Sequence, residues 1–135
     1  MPQETDTVTG NQILQDEPRA DPQALIHHRA ALTSADGTTK PTASTTGWAA
    51  NPAYRKTARV FVVTTGTPST CQLRPYLRSG GATGQVSSGP LVYLNGTPNY
   101  DAAFDITTDG DDLFVYLEQL AGGSSPTVDV WLSWR

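Results

Sequence analysis

The stretch that decides the fold is TARVFVVT at residues 57–64, which is followed by TGTP at residues 65–68 and STCQLRPYLR at residues 69–78. The first run is rich in β-branched and aromatic residues, a composition typical of strands. The last run alternates apolar and polar residues, which predicts a strand that is buried on one side only. The Gly and Pro between them supply turn chemistry. The stretch therefore predicts two consecutive β-strands.

Proline complicates the second of these strands. Its apolar side is predicted to hold Cys71, Leu73, Pro75 and Leu77. Because proline has no backbone N–H, Pro75 cannot donate to a β-ladder. We therefore expect this strand to lie at a sheet edge, or to be bulged or broken at Pro75.

Four further runs of strand composition follow. They are Leu91–Asn95, Ala102–Thr107, Asp111–Leu120 and Thr127–Trp134, with weaker candidates around Trp48 and Val86. Asp109-Gly110 is a pair typical of tight turns and predicts a hairpin between the second and third of these runs. Short strands that turns separate at close intervals, with no helix alternating between them, predict an antiparallel β-sandwich or a small barrel. We assign residues 56–135 to this all-β domain.

Residues 1–55 are polar and contain few large apolar side chains, and we predict that they form an extended N-terminal arm. Prolines interrupt any long helix, and TSADGTTKPTASTTG at residues 33–47 has the composition of a linker. Asp21-Pro22 fits a helix N-cap and first helical position, so that residues 23–32 could form a short helix. A short strand over residues 30–33 is the alternative, and the sequence leaves both open.

The arm has too few apolar groups to offset the backbone entropy that ordering it would cost. We therefore expect it to bind other subunits, either in grooves or by adding a strand to a neighbouring sheet. The alternative is that it folds back on its own sandwich. The arm residues expected to contact a partner are Ile13, Leu14, Leu25, Ile26, Leu32, Trp48 and Tyr54.

Charge and cysteine content exclude several classes of function. The formal net charge of −4 and the lack of a dense basic patch disfavour nucleic-acid binding. Cys71 is the single cysteine, which excludes a disulfide within the chain and any multi-cysteine metal site. No apolar run is long enough to span a bilayer, and the first residues do not read as a signal peptide, so we expect synthesis in a cytoplasm.

No residue pattern indicates catalysis. Asp105, Asp109, Asp111 and Asp112 form the densest acidic group, but their order does not match an EF-hand loop. His27-His28 has no Cys or carboxylate at ligand spacing, so a surface or interface pair is expected. A serine nucleophile would lack the Gly-x-Ser-x-Gly elbow. We expect no enzymatic activity, no cofactor, no metal and no small-molecule substrate.

Two aromatic residues fall on the predicted outer faces of their strands. Tyr116 alternates with inward-facing Leu113, Val115 and Leu117, and Trp131 alternates with Val130 and Leu132. Outward-facing rings favour either a protein interface or a platform for sugar rings. We therefore predict an exposed aromatic surface that includes Tyr116 and Trp131.

Two segments resemble small structural proteins of tailed bacteriophage virions. They are ARVFVVTTGTPSTCQLRPYLRSGG (Ala58–Gly81) and FDITTDGDDLFVYLEQLAGGSSPTVDVWLSW (Phe104–Trp134). The resemblance is to head decoration or cement proteins, in which an extended arm precedes a β-sandwich or jelly roll. It implies a jelly-roll-like sandwich, binding to viral capsid or other virion proteins, a homo-oligomer, and location in the virion after synthesis in the host cytoplasm. The alternatives are a carbohydrate-binding module of a phage fibre or tail, and a head-tail connector or tail component.

Overall fold

The computed structural model describes residues 25–94 and 101–135. Its strands are β1 (Ile26–Leu32), β2 (Thr57–Thr65), β3 (Thr70–Ser79), β4 (Gln85–Ser88), β5 (Val92–Tyr93), β6 (Asp101–Thr107), β7 (Asp112–Ala121) and β8 (Thr127–Trp134). Within the described ranges, helical geometry is limited to two short 3₁₀ turns, Ser34–Gly37 and Gly81–Thr83. The all-β prediction is confirmed.

The strands form two antiparallel sheets that pack as a sandwich. Sheet A has the order β1-β8-β2-β6. Sheet B has β3 at its centre, with β7 on one edge and β4 and β5 in succession on the other. The predicted antiparallel sandwich is confirmed at this level.

The core lies between the two sheets, where the alternation in the sequence predicted it. Its fully buried side chains include Val60, Val62, Val128, Val130 and Leu132 from sheet A, and Leu73, Leu113, Val115 and Leu117 from sheet B. Each set occupies alternate positions of its strands, because successive side chains of a strand point to opposite faces. Cys71 is also buried here, as a small apolar group would be.

Pro75 lies in β3, which has partners on both sides. The ladder on one side is interrupted opposite Pro75, because β4 ends at Ser88 and β5 begins at Val92. Gly89 N still donates to the Pro75 carbonyl oxygen at 2.8 Å. The break that the sequence predicted is therefore in the neighbouring strand, and β3 itself is continuous and not at an edge.

The turn at Asp109-Gly110 does not close a hairpin. It joins β6 in sheet A to β7 in sheet B, so the predicted pairing of these strands is wrong. Asp109 N and Gly110 N donate to the carbonyl oxygens of Lys56 and Arg55 at 3.1 and 2.9 Å. These bonds fasten the turn to the segment before β2. A turn dipeptide indicates a reversal of the chain but not which strands pair after it.

The second half of the predicted arm packs on the sandwich of its own chain. Residues 26–32 form β1, which pairs with β8 from Ile26 to Leu32, so the short helix is wrong and the strand alternative is longer than expected. Ala49 forms an isolated bridge to Leu113, with hydrogen bonds of 2.8 and 3.0 Å. Residues 1–24, which we call the leading segment, lie outside the described residues.

Candidate interaction surface

The outer face of sheet A carries a row of three rings on neighbouring strands. His27 of β1 pairs with Trp131 of β8, and Trp131 pairs in turn with Phe61 of β2. Because directly opposed residues of antiparallel strands point to the same face, the three side chains lie side by side. The rings of His27 and Trp131 stack, with their centroids 3.9 Å apart and their planes inclined by 7°. We call these three residues the ring row.

Asp129 positions the β1 end of the ring row. Its Oδ1 lies 3.4 Å from His27 Nε2 and accepts a hydrogen bond from Ala31 N at 2.8 Å. The imidazole is therefore held against one face of the Trp131 indole. That face of the indole is covered, so a ligand reaching Trp131 would meet its ring edge or its other face.

Charged and apolar side chains flank the ring row along β2. Arg59 donates to Asp105 from Nε at 2.9 Å and from Nη2 at 3.4 Å, and these hydrogen bonds lower the pKa of Asp105. Val63, two residues beyond Phe61 on the same face, is 39 % exposed. The outer face of sheet A is therefore an apolar strip next to an exposed ion pair, and none of its rings is more than partly covered.

Two residues predicted to contact a partner lie where the chain enters β1. Leu25 is 54 % exposed and Ile26 is 45 % exposed. Large aliphatic side chains at this exposure cost free energy in water, and burying them against a partner would recover it. Ile26 directly precedes His27 and is paired with the core residue Leu132, so its side chain lies on the face of sheet A opposite to the ring row.

The outer face of sheet B is covered by the chain itself. Tyr76, Phe114 and Tyr116 form a second buried cluster beneath the segment that follows β1. Tyr116 Oη donates to the Gly37 carbonyl oxygen at 2.7 Å, and the Trp48 ring lies 5.6 Å from that of Phe114. The prediction that Tyr116 is exposed is wrong, since its residue is 3 % exposed. Alternation identified its face of the sheet but not the segment lying over it.

Two other residues predicted to contact a partner are used within the chain. Leu32 is 4 % exposed and belongs to the core of its own sandwich. Trp48 packs on the second cluster, and its Nε1 donates to the Thr42 carbonyl oxygen at 2.9 Å. Ile13 and Leu14 lie outside the described residues.

Tyr54 is the remaining predicted contact residue, and it stands on a tightly bonded loop. Its side chain is 85 % exposed, and its φ of 53° lies in the left-handed region, which costs a residue with a Cβ about 1–2 kcal/mol. Asn51 Oδ1 accepts from Arg55 N at 2.6 Å, and Asn51 Nδ2 donates to the Arg55 carbonyl oxygen at 2.9 Å. A polar cavity of about 550 Å³ adjoins this loop and is also lined by Asp109 and Asp111.

Cys71 and Asp112, two of the reactive side chains noted from the sequence, are buried or hydrogen-bonded within the described part of the chain. Burial raises the pKa of the Cys71 thiol to about 11, which suppresses the nucleophilic thiolate. Asp112, in the acidic group noted from the sequence, accepts hydrogen bonds from Arg78 and Asn51 N. No group of three or more His, Cys, Asp or Glu side chains in the described ranges is arranged to hold a metal ion.

Sequence reasoning missed the ring row, apart from Trp131. The alternation in TARVFVVT places Phe61 on the face opposite to Val60 and Val62, which could have marked it as outward-facing. His27 gave no such signal, because the register of β1 shifts between His27 and Arg29 and breaks the alternation.

Comparison with known proteins gives this fold no relative. No family model matches the chain, and no curated protein and no solved structure matches it. In the part of the chain that the structure describes, no helix has the length and apolar character needed to cross a membrane.

Proposed function

We propose that this chain is a non-enzymatic structural protein of a bacteriophage virion, a capsid decoration or cement subunit that docks on the shell through the outer face of sheet A. The observation that carries the proposal is the difference between the two outer faces. The aromatic cluster of sheet B is buried by the chain itself, whereas the ring row of sheet A is partly exposed, with His27 exposed and Phe61 and Trp131 half-buried. Aromatic side chains are enriched in the centres of protein interfaces.

The strand order supports the jelly-roll part of this proposal. If the Ala49 bridge is counted as a strand reduced to one residue pair, it becomes the second of eight, beside β7. If β4 and β5 are also counted as one interrupted strand, the chain has eight strands. Numbered in this new count, their orders in the two sheets are 1-8-3-6 and 2-7-4-5. These orders agree with those of a two-sheet jelly roll, an architecture that recurs in viral capsid and lectin domains, and they support this part of the proposal.

The proposal includes the partners and the location of the protein. Its partners are viral capsid or other virion proteins together with further copies of the chain, and it is made in the host cytoplasm before it joins the virion. The formal net charge of −4 disfavours nucleic acid as a partner. No membrane, cofactor or small-molecule substrate enters the proposed role.

Attachment to shells assembled without this protein tests the proposal. Trp131→Ala removes the central ring of the ring row, and we expect binding measured by co-sedimentation to weaken by at least tenfold, the order expected for an interface anchor. Tyr93→Ala is the matched control, because Tyr93 is 64 % exposed and lies on sheet B. Equal binding by both variants and the wild-type chain would contradict docking through sheet A.

A carbohydrate-binding module of a phage fibre or tail is the second candidate. The Tyr54 loop favours it, because an exposed ring beside a polar cavity with carboxylates can stack on a sugar and accept hydrogen bonds from its hydroxyl groups. The aromatic pair expected at Tyr116 and Trp131 does not support it, since Tyr116 is buried and His27 covers one face of Trp131. Glycan binding that Tyr54→Ala abolishes and Trp131→Ala preserves would favour this candidate.

A head-tail connector or tail component would use the same surfaces. Its distinguishing observation is location, and antibody labelling of intact virions by electron microscopy gives it directly. Label spread over the head supports the decoration role, whereas label confined to the neck or tail supports the connector.

A further inference from the structure

An unpaired strand edge runs along one side of sheet A. Within the described ranges β6 pairs only with β2, and it is the last strand in the order of its sheet. Its second edge therefore presents backbone N–H and C=O groups without a ladder partner, which is the arrangement that an added strand completes.

An apolar groove opens beside this edge, between the two sheets. Its volume is about 390 Å³. The apolar side chains that line it are Phe104 and Ile106 of β6, Pro75 and Leu77 of β3, and Pro90 and Val92 of the segment around β5. On the opposite side of the sandwich, Ala49, His28 and Arg29 bond to the backbone of β7 at Leu113 and Val115. A strand that pairs with β6 would direct alternate side chains into the groove.

Cationic residues adjoin one end of the groove. The groove ends at Thr107, whose cross-strand partner Thr57 accepts a hydrogen bond from Arg135 N at 2.8 Å. The Lys56 carbonyl oxygen accepts from Thr108 N, also at 2.8 Å. Neither Lys56 nor Arg135 forms an ion pair with a carboxylate in the described part of the chain. Asp105 also lines the groove, but Arg59 pairs with it and Arg135 adds a further positive charge beside it, so an acidic segment can bind at this end.

The leading segment has the matching composition. Its acidic residues are Glu4, Asp6, Asp16, Glu17 and Asp21, and its single basic residue is Arg19. It therefore carries the entire formal net charge of −4, and the rest of the chain is neutral. Val8, Ile13 and Leu14 supply apolar side chains, and Gln15 alone separates the last two from Asp16-Glu17.

We propose that the groove beside β6 receives the leading segment of a second copy of this chain, which adds a strand to sheet A and places Ile13, with Gln15 on the same strand face, against Phe104 and Val92. This inference rests on the proposed function, in which copies assemble on a shell. The segment leaves sheet A at β1, the edge opposite to β6, so a neighbour's segment reaches the groove without crossing the ring row. Extended, 24 residues span about 80 Å, far more than the roughly 14 Å width of a four-stranded sheet.

Disulfide trapping in the full chain tests the inference. Gln15→Cys places a thiol next to Ile13-Leu14, and Val92→Cys places one in the groove. The raised pKa of Cys71, about 11, keeps the native thiol out of the reaction at pH 8. When the two variants are mixed and mildly oxidised, we expect a disulfide-linked dimer that contains one chain of each kind.

Val63→Cys is the matched control for the groove position, because it makes the same substitution at an exposed site on the outer face of sheet A. We expect the Val92→Cys pairing to exceed the Val63→Cys pairing several-fold. Equal yields of the two cross-linked dimers would overturn the inference. It would also be overturned if a Gln15→Cys, Val92→Cys double variant formed its disulfide within one chain at high dilution. If Val92→Cys does not fold, Pro90→Cys at the exposed rim replaces it.

The outcome is separable from that of the proposed function. If attachment to shells depends on Trp131 but no disulfide is trapped, the decoration role still holds. The groove is then not the acceptor of the leading segment. Disulfide trapping without attachment to shells would support the groove as the acceptor of the leading segment and would contradict docking on the shell.

Discussion

His28 and Val115 form a side-chain to backbone hydrogen bond, in which Val115 N donates to His28 Nε2 at 3.1 Å. The next residue completes the pattern, since Arg29 Nη1 donates to the Val115 carbonyl oxygen at 3.2 Å. An acceptor and a donor from consecutive side chains thus occupy the edge of β7 where an adjacent strand would pair. Two residues away, Leu113 is bonded to the backbone of Ala49. This edge is satisfied without a full strand, which protects it from pairing with other chains.

The first prediction concerns pH and follows from the acceptor role of His28. Burial, with a smaller contribution from the positive charge of Arg29, lowers the pKa of His28 from 6.5 to about 4. Below pH 6.5 the unfolded chain binds a proton that the folded chain excludes, so the free energy of unfolding falls as the pH is lowered toward 4. We expect a loss of about 2 kcal/mol between pH 8 and pH 5, measured by urea denaturation.

Two paired carboxylates, Glu118 and Asp105, do not account for a loss in that window. Hydrogen bonds to arginine lower the pKa of Glu118 and Asp105 from their ordinary values of 4.5 and 3.8, so their contributions are lost mainly below pH 5. His28→Gln should be less stable than the wild-type chain at pH 8 and should lose most of the slope between pH 8 and pH 5. If the free energy of unfolding of this variant depends on pH as strongly as that of the wild-type chain, a group other than His28 causes the pH dependence.

The second prediction concerns the hydrogen bond that fastens the segment after β1 to sheet B. Tyr116→Phe removes the donor to Gly37 O and keeps the ring, so we expect the free energy of unfolding to fall by about 1 kcal/mol. Amide hydrogen exchange should also quicken in residues 34–37. Tyr93→Phe is the control, because Tyr93 is exposed and should change neither measurement. No change in exchange at residues 34–37 would show that packing alone holds this segment.

The third prediction concerns Cys71. Because this residue is buried and the pKa of its thiol is raised to about 11, we expect no reaction with a thiol reagent in the folded protein at pH 8. Adding urea should release reactivity with the same midpoint as the loss of tryptophan fluorescence. Rapid labelling of the folded chain would contradict the burial and would also require Cys71→Ala in the disulfide-trapping experiment.

The sequence predicted those parts of the fold that depend on alternation within one strand. Val128, Val130 and Leu132 are buried as their spacing indicated, and so is Cys71. It did not predict relationships between segments that are distant in the chain. Tyr116 was assigned to the correct face, but its burial depends on residues near Gly37, which lie 79 positions earlier.

The candidate surface was only partly accessible to sequence reasoning, for the same reason. Trp131 was identified because β8 alternates regularly. His27 and His28 were recognised as a surface or interface pair, but their side chains go to opposite faces of β1, and the register shift after His27 sends Arg29 to the same side as His28. His27 stacks on Trp131, whereas His28 bonds to Val115 in the other sheet. Residue spacing contains no information about such a bulge, because its position depends on the partner strand.

The last prediction compares two arginine–carboxylate pairs that differ in burial. Arg78 donates from Nε and Nη2 to Asp112 Oδ2 at 3.0 and 2.8 Å, and from Nη1 to the Ala43 carbonyl oxygen at 2.7 Å. Its guanidinium carbon also lies 4.9 Å from the centroid of the Trp48 ring. The Arg78 and Asp112 side chains are 15 % and 20 % exposed, whereas those of Arg59 and Asp105 are 40 % and 53 % exposed.

Arg78→Met should therefore lower the free energy of unfolding by about 2–4 kcal/mol, because it leaves Asp112 partly buried without its cation and releases the segment at Ala43. Arg59→Met makes the same substitution at the exposed pair and should lower the free energy of unfolding far less, because water and salt screen that pair. Urea denaturation of both variants at pH 7.5 measures these losses in the free energy of unfolding. Adding 1 M salt should reduce the loss caused by Arg59→Met by a larger fraction than the loss caused by Arg78→Met. Equal losses in the two variants would mean that burial does not distinguish the pairs and that Arg78 does not anchor this part of the chain to sheet B.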